Sequence, residues 1–304
     1  MCSIILKEHI MFTRIKATAI SIKPKKWDKA RNADKLEAFF RKAAEKKPDL
    51  ILATEGVLEG YVVNDVIRHP DRADAMLEVA EPIDGPYIRR FQRLAKTLDT
   101  CLCFGFAERI GREAYNAAIF IDREGDILGK YHKVQLAEGT HPTWYFNRIG
   151  QSIRAFDTPL GRAGILICND RWNPMIARSL VLDGAQLILI PSKGSKARRQ
   201  NRAVLARARE NGVPIVEANV GMNLIVSKGE IVAYKWGNDK ITTAVIDVPV
   251  APSTTTARNY EREYLEQQGP EMERRYLRTM SRSNDDSNAL EPTAAGKAAV
   301  AKVS

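Results

Sequence analysis

The feature that most constrains this chain is a unit that recurs along it: an amphipathic helical stretch, a Pro or Gly break, and an apolar run that ends in polar residues. In "ADKLEAFFRKAAEKKPDLILATEG" the apolar residues return every three or four positions, Pro48 interrupts them, and an apolar strand follows that stops at Thr54 and Glu55. "GPYIRRFQRLAKTLDTCLCFGFAER" places Pro86 at a helix start, where its missing N–H is no loss, and runs into a second buried strand. "NPMIARSLVLDGAQLILIPS" does the same with Pro174 and a third strand. Between these units, "AAIFIDREGDILGKYHK" and "NLIVSKGEIVAYKW" each set a Gly-containing turn between two strands, so antiparallel hairpins join the parallel strands.

Strands that are apolar along most of their length need cover on both faces. The expected fold class is therefore α/β, with two mixed sheets packed together and helices outside. The comparable places of the two hairpins hint at pseudo-symmetric halves, although no residue-level repeat is visible. At 304 residues and 44% hydrophobic content, one enzyme-sized domain is the simplest organisation. The boundaries expected are an N-terminal extension over 1–12, the domain over 13–250 and a helical extension over 251–280 suited to oligomer contacts. A disordered tail over 281–304, which lacks aromatics and any amphipathic period, completes the chain; Met11 is an alternative start.

No apolar run approaches the roughly 20 residues of a membrane span, and the N-terminal apolar burst is too short for a signal core, so neither membrane insertion nor secretion is expected. The four cysteines, Cys2, Cys101, Cys103 and Cys168, are sparse and unevenly spaced, which points to a reducing cytoplasm and not to a disulfide framework. A net charge of +10 and the basic stretch "KGSKARRQNRAVLARARE" at 193–210 invite a nucleic-acid partner. The arginines there recur along a helix beside Ala, Val and Leu, and no recognition motif accompanies them. A solvated basic face, or a site for acidic small molecules, is expected instead.

Three stretches end strands with chemically useful side chains: "LILATEG" offers Glu55, "LGKYHKVQLAEG" offers Lys133 and Glu138, and "GILICND" offers Cys168. A thiol becomes a nucleophile when a base takes its proton and a cation stabilises the thiolate, and Glu55 and Lys133 suit those duties. An ammonium can also stabilise the charge that develops when a thiolate attacks a carbonyl or nitrile carbon. Cys101 and Cys103, at alternate positions of one buried strand, are core residues. His9, His69, His132 and His141 form no ligand pattern, so no metal site and no cofactor are expected.

"LILATEG", "GKYHKVQL" and "GRAGILICNDRWNP", in this order and at these separations, resemble the nitrilase superfamily of carbon-nitrogen hydrolases. The similarity runs from about Thr13 to Val248 and includes "RARENGVPIVEANVG". It implies a four-layer α-β-β-α sandwich that pairs with copies of itself, and it maps a Glu-Lys-Cys triad onto Glu55, Lys133 and Cys168. The family's second glutamate is matched by Glu138. Two departures stand out: Thr54 replaces a proline common before the catalytic glutamate, and "MNLIVSKGE" follows "EANVG" without the usual longer loop.

"CNDRWNP" looks closest to the N-carbamoyl-D-amino-acid hydrolase branch. There Arg171 at the site mouth would clamp a substrate carboxylate through two parallel hydrogen bonds; an internal ion pair with Glu81 or Asp84 is the alternative. Asn169, Trp172 and His141 complete the substrate-binding candidates, and Trp144 and Tyr145 are candidates for an apolar wall. The function expected is an amidohydrolase that cleaves a small linear amide or N-carbamoyl compound through a thioester and assembles as a homodimer or larger oligomer. Nitrile hydrolysis, acyl transfer to an amine, or a catalytically silent binding protein are the rivals.

Overall fold

The computed structural model describes residues 12–136, 148–194, 198–249 and 257–284. The first half of the chain contains β1 (Phe12–Ile20), α1 (Lys29–Ala44), β2 (Leu50–Leu52), the short helices α2 (Val63–Arg68) and α3 (Ala73–Val79), and α4 (Pro86–Leu98), followed by β3 (Cys101–Ile110), β4 (Glu113–Ile121) and β5 (Ile127–His132). The second half contains β6 (Ala163–Ile165), a 3-10 turn (Cys168–Trp172), α5 (Pro174–Leu182), β7 (Leu187–Ser192) and α6 (Arg198–Asn211). The strands β8 (Ile215–Asn219), β9 (Met222–Ser227), β10 (Glu230–Trp236) and β11 (Ile241–Pro249) and the long helix α7 (Ala257–Asn284) complete it.

The helices begin where the sequence supplies caps. The Asp28 carboxylate accepts the Arg31 N–H at the start of α1, Pro86 is the first residue of α4, and the Asn173 side chain accepts the Met175 N–H at the start of α5. One sheet has the order β11-β1-β2-β3-β4-β5 and the other β10-β9-β8-β7-β6. In the first, β1, β2 and β3 are parallel and β4 and β5 antiparallel; in the second, β6, β7 and β8 are parallel and β9 and β10 antiparallel. The same strand plan thus occurs twice, and β11 returns to pair with β1.

Alternation along the strands assigns the layers. On β3, Cys101 and Cys103 pack into the core between the sheets, with Ile188 and Ile190 of β7 and Val216 and Ala218 of β8. Leu102, Phe104 and Phe106 turn the other way, onto Leu36 and Phe40 of α1 and Ile88 and Phe91 of α4. Both cysteines are therefore core residues, and burial pushes the Cys101 thiol up to about 12. Helices α5 and α6 cover the outer face of the second sheet, and α7 packs along α5. The result is the α-β-β-α sandwich. Helix α7 runs to Asn284, past Ser281, where a disordered tail was expected to begin; 285–304 and 1–11 lie outside the described residues.

Candidate active site

Glu55 leaves β2 at the rim of the first sheet. Its backbone is pinned against β3 on both sides: the Gly105 N–H donates to the Thr54 carbonyl (3.1 Å) and the Val57 N–H to the Gly105 carbonyl (2.9 Å). That approach requires glycine at 105, because a Cβ there would stand 2.7 Å from the Cα of Glu55. The fully buried carboxylate accepts three hydrogen bonds. Oε1 takes the Lys133 ammonium (2.9 Å) and the Asn116 amide (2.6 Å), and Oε2 takes the backbone N–H of Lys193 (2.8 Å). A charge with three well-placed donors is compensated for its burial and held in one orientation.

Cys168 opens the 3-10 turn after β6 in the left-handed region, at φ 46°. A residue with a Cβ is strained there, so the surroundings must hold it. The buried Asp170 carboxylate does so: Oδ2 accepts from the Ile167 N–H (2.9 Å) and the Tyr131 hydroxyl (2.8 Å), and Oδ1 from the Gln135 N–H (3.0 Å). One side chain thereby ties the thiol's turn to the segment that carries Lys133. Burial pushes Asp170 up to about 6, against the opposing pull of Lys133 and these hydrogen bonds. Burial first, and the Glu55 carboxylate second, hold the Cys168 thiol above its ordinary pKa; Arg171, Lys133 and the Lys193 backbone N–H pull the other way.

The structure thus brings Glu55, Lys133 and Cys168 into one electrostatic cluster. It corrects the expectation for Arg171. This side chain is fully buried and not at a mouth, and its donors are spent inside the protein: Nε on the Cys168 carbonyl (2.5 Å), one terminal nitrogen on Glu217, the other on the Ser192 hydroxyl (2.9 Å). Its partner is neither Glu81, which pairs with Lys29, nor Asp84, but Glu217 of β8. Removing one member of such a pair strands a buried charge and costs about 3–5 kcal/mol.

Asn169 donates its amide to the Leu136 carbonyl (3.3 Å) and accepts the Gln135 amide on its backbone oxygen (3.2 Å), clipping 135–136 to the nucleophile turn. Trp172 is half-buried, with the Arg199 guanidinium 4.9 Å from its ring. Glu138, His141, Trp144 and Tyr145 lie outside the described residues. Sequence reasoning missed Asn116, Asp170 and the Lys193 N–H. A signal existed for two of them: Asn116 is a lone amide directly before the apolar run "AAIF", and Asp170 sits two residues after the thiol. Among the described residues no group of three or more His, Cys, Asp or Glu is placed to hold a metal ion, and no helix is long and apolar enough to cross a membrane.

A family model described as carbon-nitrogen hydrolase matches residues 16–255. The chain belongs to the carbon-nitrogen hydrolase family. This hydrolase is 32% identical over 224 residues to N-carbamoylputrescine amidase of Oryza sativa subsp. japonica, covering 69% of this chain and 72% of that protein. It is 28% identical over 227 residues to citrullinase of Francisella tularensis, covering 71% and 77%. Its fold is that of Saccharomyces cerevisiae Nit3, a member of branch 10 of the nitrilase superfamily (TM-score 0.68, 20% identity, 83% of this chain and 93% of that one). The amidase from Nesterenkonia sp. has it too (TM-score 0.64, 20% identity, 83% and 95%).

Proposed function

We propose that this enzyme hydrolyses the non-peptide C–N bond of a small linear amide or N-carbamoyl compound through a thioester on Cys168. The observation that carries the reading is the buried Glu55 carboxylate, hydrogen-bonded to Lys133 and acting electrostatically on the Cys168 thiol. Glu55 takes the thiol proton and the thiolate attacks the carbonyl carbon. The oxyanion that forms faces the Lys133 ammonium, which stabilises it. Collapse breaks the C–N bond, and the proton held by Glu55 leaves on ammonia or an amine. Glu55 then deprotonates water, which attacks the thioester and frees the thiol, reprotonated from Glu55. The acid is released from an amide; from an N-carbamoyl compound, a carbamate that falls to amine and carbon dioxide.

The N-carbamoyl class is favoured because N-carbamoylputrescine and citrulline, the compounds in the two relatives' names, both carry a ureido group on a short aliphatic chain. Glu138 as a second site glutamate, and Asn169, Trp172 and His141 as substrate contacts, belong to the same reading. So does a homodimer or larger assembly, supported by the exposed apolar side chains of β10, and a cytoplasmic location, supported by the free thiols of Cys101, Cys103 and Cys168. The test is ammonia release by wild type and Cys168→Ala across aliphatic amides, nitriles and N-carbamoyl compounds. Release that the substitution abolishes supports the reading. A preference for nitriles moves the chain to that chemistry, and an unreactive Cys168 with no release from any compound leaves a binding protein.

A further inference from the structure

The basic stretch that begins at Lys193 has no part in the chemistry above except through the Lys193 backbone, yet the Lys193 side chain points back into the same cluster. It is half-buried, its ammonium lies 4.1 Å from the centre of the Tyr61 ring, and it feels the charges of Glu55, Glu59 and Cys168. Burial lowers its pKa. Among the described residues no carboxylate lies within ion-pair distance of its ammonium, whereas the neighbouring cations are engaged: Lys133 on Glu55, Arg171 on Glu217, Lys26 on Asp65. A partly desolvated ammonium resting on an aromatic face is a ready site for an anion.

Of the two described carboxylates whose charge it feels, Glu55 is spent on Lys133, Asn116 and the Lys193 N–H, and Glu59 is closed off. Glu59 is almost wholly buried; its Oε2 accepts the Ala107 N–H (3.0 Å) and its Oε1 lies so close to Gly56 that a Cβ there would meet it at 2.6 Å. Among the described residues, a cationic substrate end would thus meet Lys193 with no reachable carboxylate to offset it, and an anionic end would meet a cation that has no ion-pair partner among them.

We infer that Lys193 recognises a carboxylate on the part of the substrate remote from the scissile bond, so that this site prefers anionic amides or N-carbamoyl acids to their amine-bearing counterparts. The inference rests on the amidohydrolase reading and deepens it. It is tested with matched compounds H2NCO–CH2CH2–X and H2NCO–NH–CH2CH2–X in which X is carboxylate, methyl or ammonium. In wild type, kcat/KM is expected to rank carboxylate over methyl over ammonium. In Lys193→Met the carboxylate-to-methyl ratio should fall roughly 10–100-fold, mostly through KM, and Lys193→Arg should restore much of it.

Binding of the same compounds to Cys168→Ala, with and without Lys193→Met, separates the two ideas because it needs no turnover. Carboxylate binding that depends on Lys193 in a wild type that hydrolyses none of them would keep Lys193 as a carboxylate site and overturn the hydrolase reading for these compounds. Hydrolysis with an unchanged carboxylate-to-methyl ratio in Lys193→Met, preference for the ammonium series, or no binding of the carboxylates would overturn the inference.

Discussion

Glu55 is asked to do two things that conflict: take a proton from Cys168, and sit beside it as a negative charge that makes the thiolate harder to form. Neutralising it should therefore split two readouts that normally move together. Glu55→Gln is expected to lower amide turnover by about 10²–10⁴ through loss of the general base. Alkylation of Cys168 by iodoacetamide at pH 8 should not fall in parallel, because the carboxylate that raises the thiol is gone. Equal losses in both would show that Glu55 only holds the fold. Asp170 gives a second test, through pH. Its folded value of about 6 lies above its ordinary 3.8, so the folded chain binds the extra proton between these values. The stability it contributes is fully present below about 3.8 and lost as pH rises through 6, by about 3 kcal/mol in all. The difference in urea stability between wild type and Asp170→Asn should therefore slope across pH 4–6 and be flat above about 7; a flat difference throughout would rule the account out. The meeting of Glu55, Lys133 and Cys168 was legible because Glu55 and Cys168 each end an apolar run and Lys133 follows the last strand of a hairpin. Arg171 was not, because its partner Glu217 is 46 residues away and only the meeting of the 3-10 turn with β8 shows that the guanidinium is spent.

Among the elements, β2 has only three residues in its ladder and yet carries Glu55, so its position depends on β3 more than on its own length. The close approach at Gly105 is the point of control. Gly105→Ala should force β2 and β3 apart, cost about 1–3 kcal/mol as overpacking, and lower turnover by on the order of 10²-fold through displacement of the carboxylate. Urea unfolding and kcat read the two effects separately, and a variant that is destabilised but fully active would refute the positioning role. Three helix-then-strand units and the β4–β5 and β9–β10 hairpins were readable from periodicity, Pro and Gly, since these are local signals; the α6–β8 unit and the β3–β4 and β8–β9 hairpins were not read. The path by which α7 supports the site was not readable: Tyr264 of α7 is buried and its hydroxyl reaches the Gln135 side chain at 3.4 Å, a contact between segments 129 residues apart that no local pattern encodes.

At the scale of the whole molecule, the doubled strand plan leaves the two sheets with different outer edges. The first is extended by β11; the second ends in β10, where Ile231, Val232, Tyr234 and Trp236 are exposed while the adjacent β9 is buried throughout. A free edge with apolar side chains attracts pairing, and the register shift between Ile231 and Ala233 disturbs simple strand addition there. A second copy would therefore pack onto the side chains and not continue the ladder. Light scattering of the purified chain should give at least twice the chain mass. Val232→Lys with Trp236→Glu should shift it towards the monomer with little loss of folded stability, because both positions are solvent-exposed in the single chain. A wild type that stays monomeric at high concentration would show that these side chains are exposed for another reason. An oligomer that the paired substitution leaves intact would place the interface elsewhere, with α7 the next surface to probe.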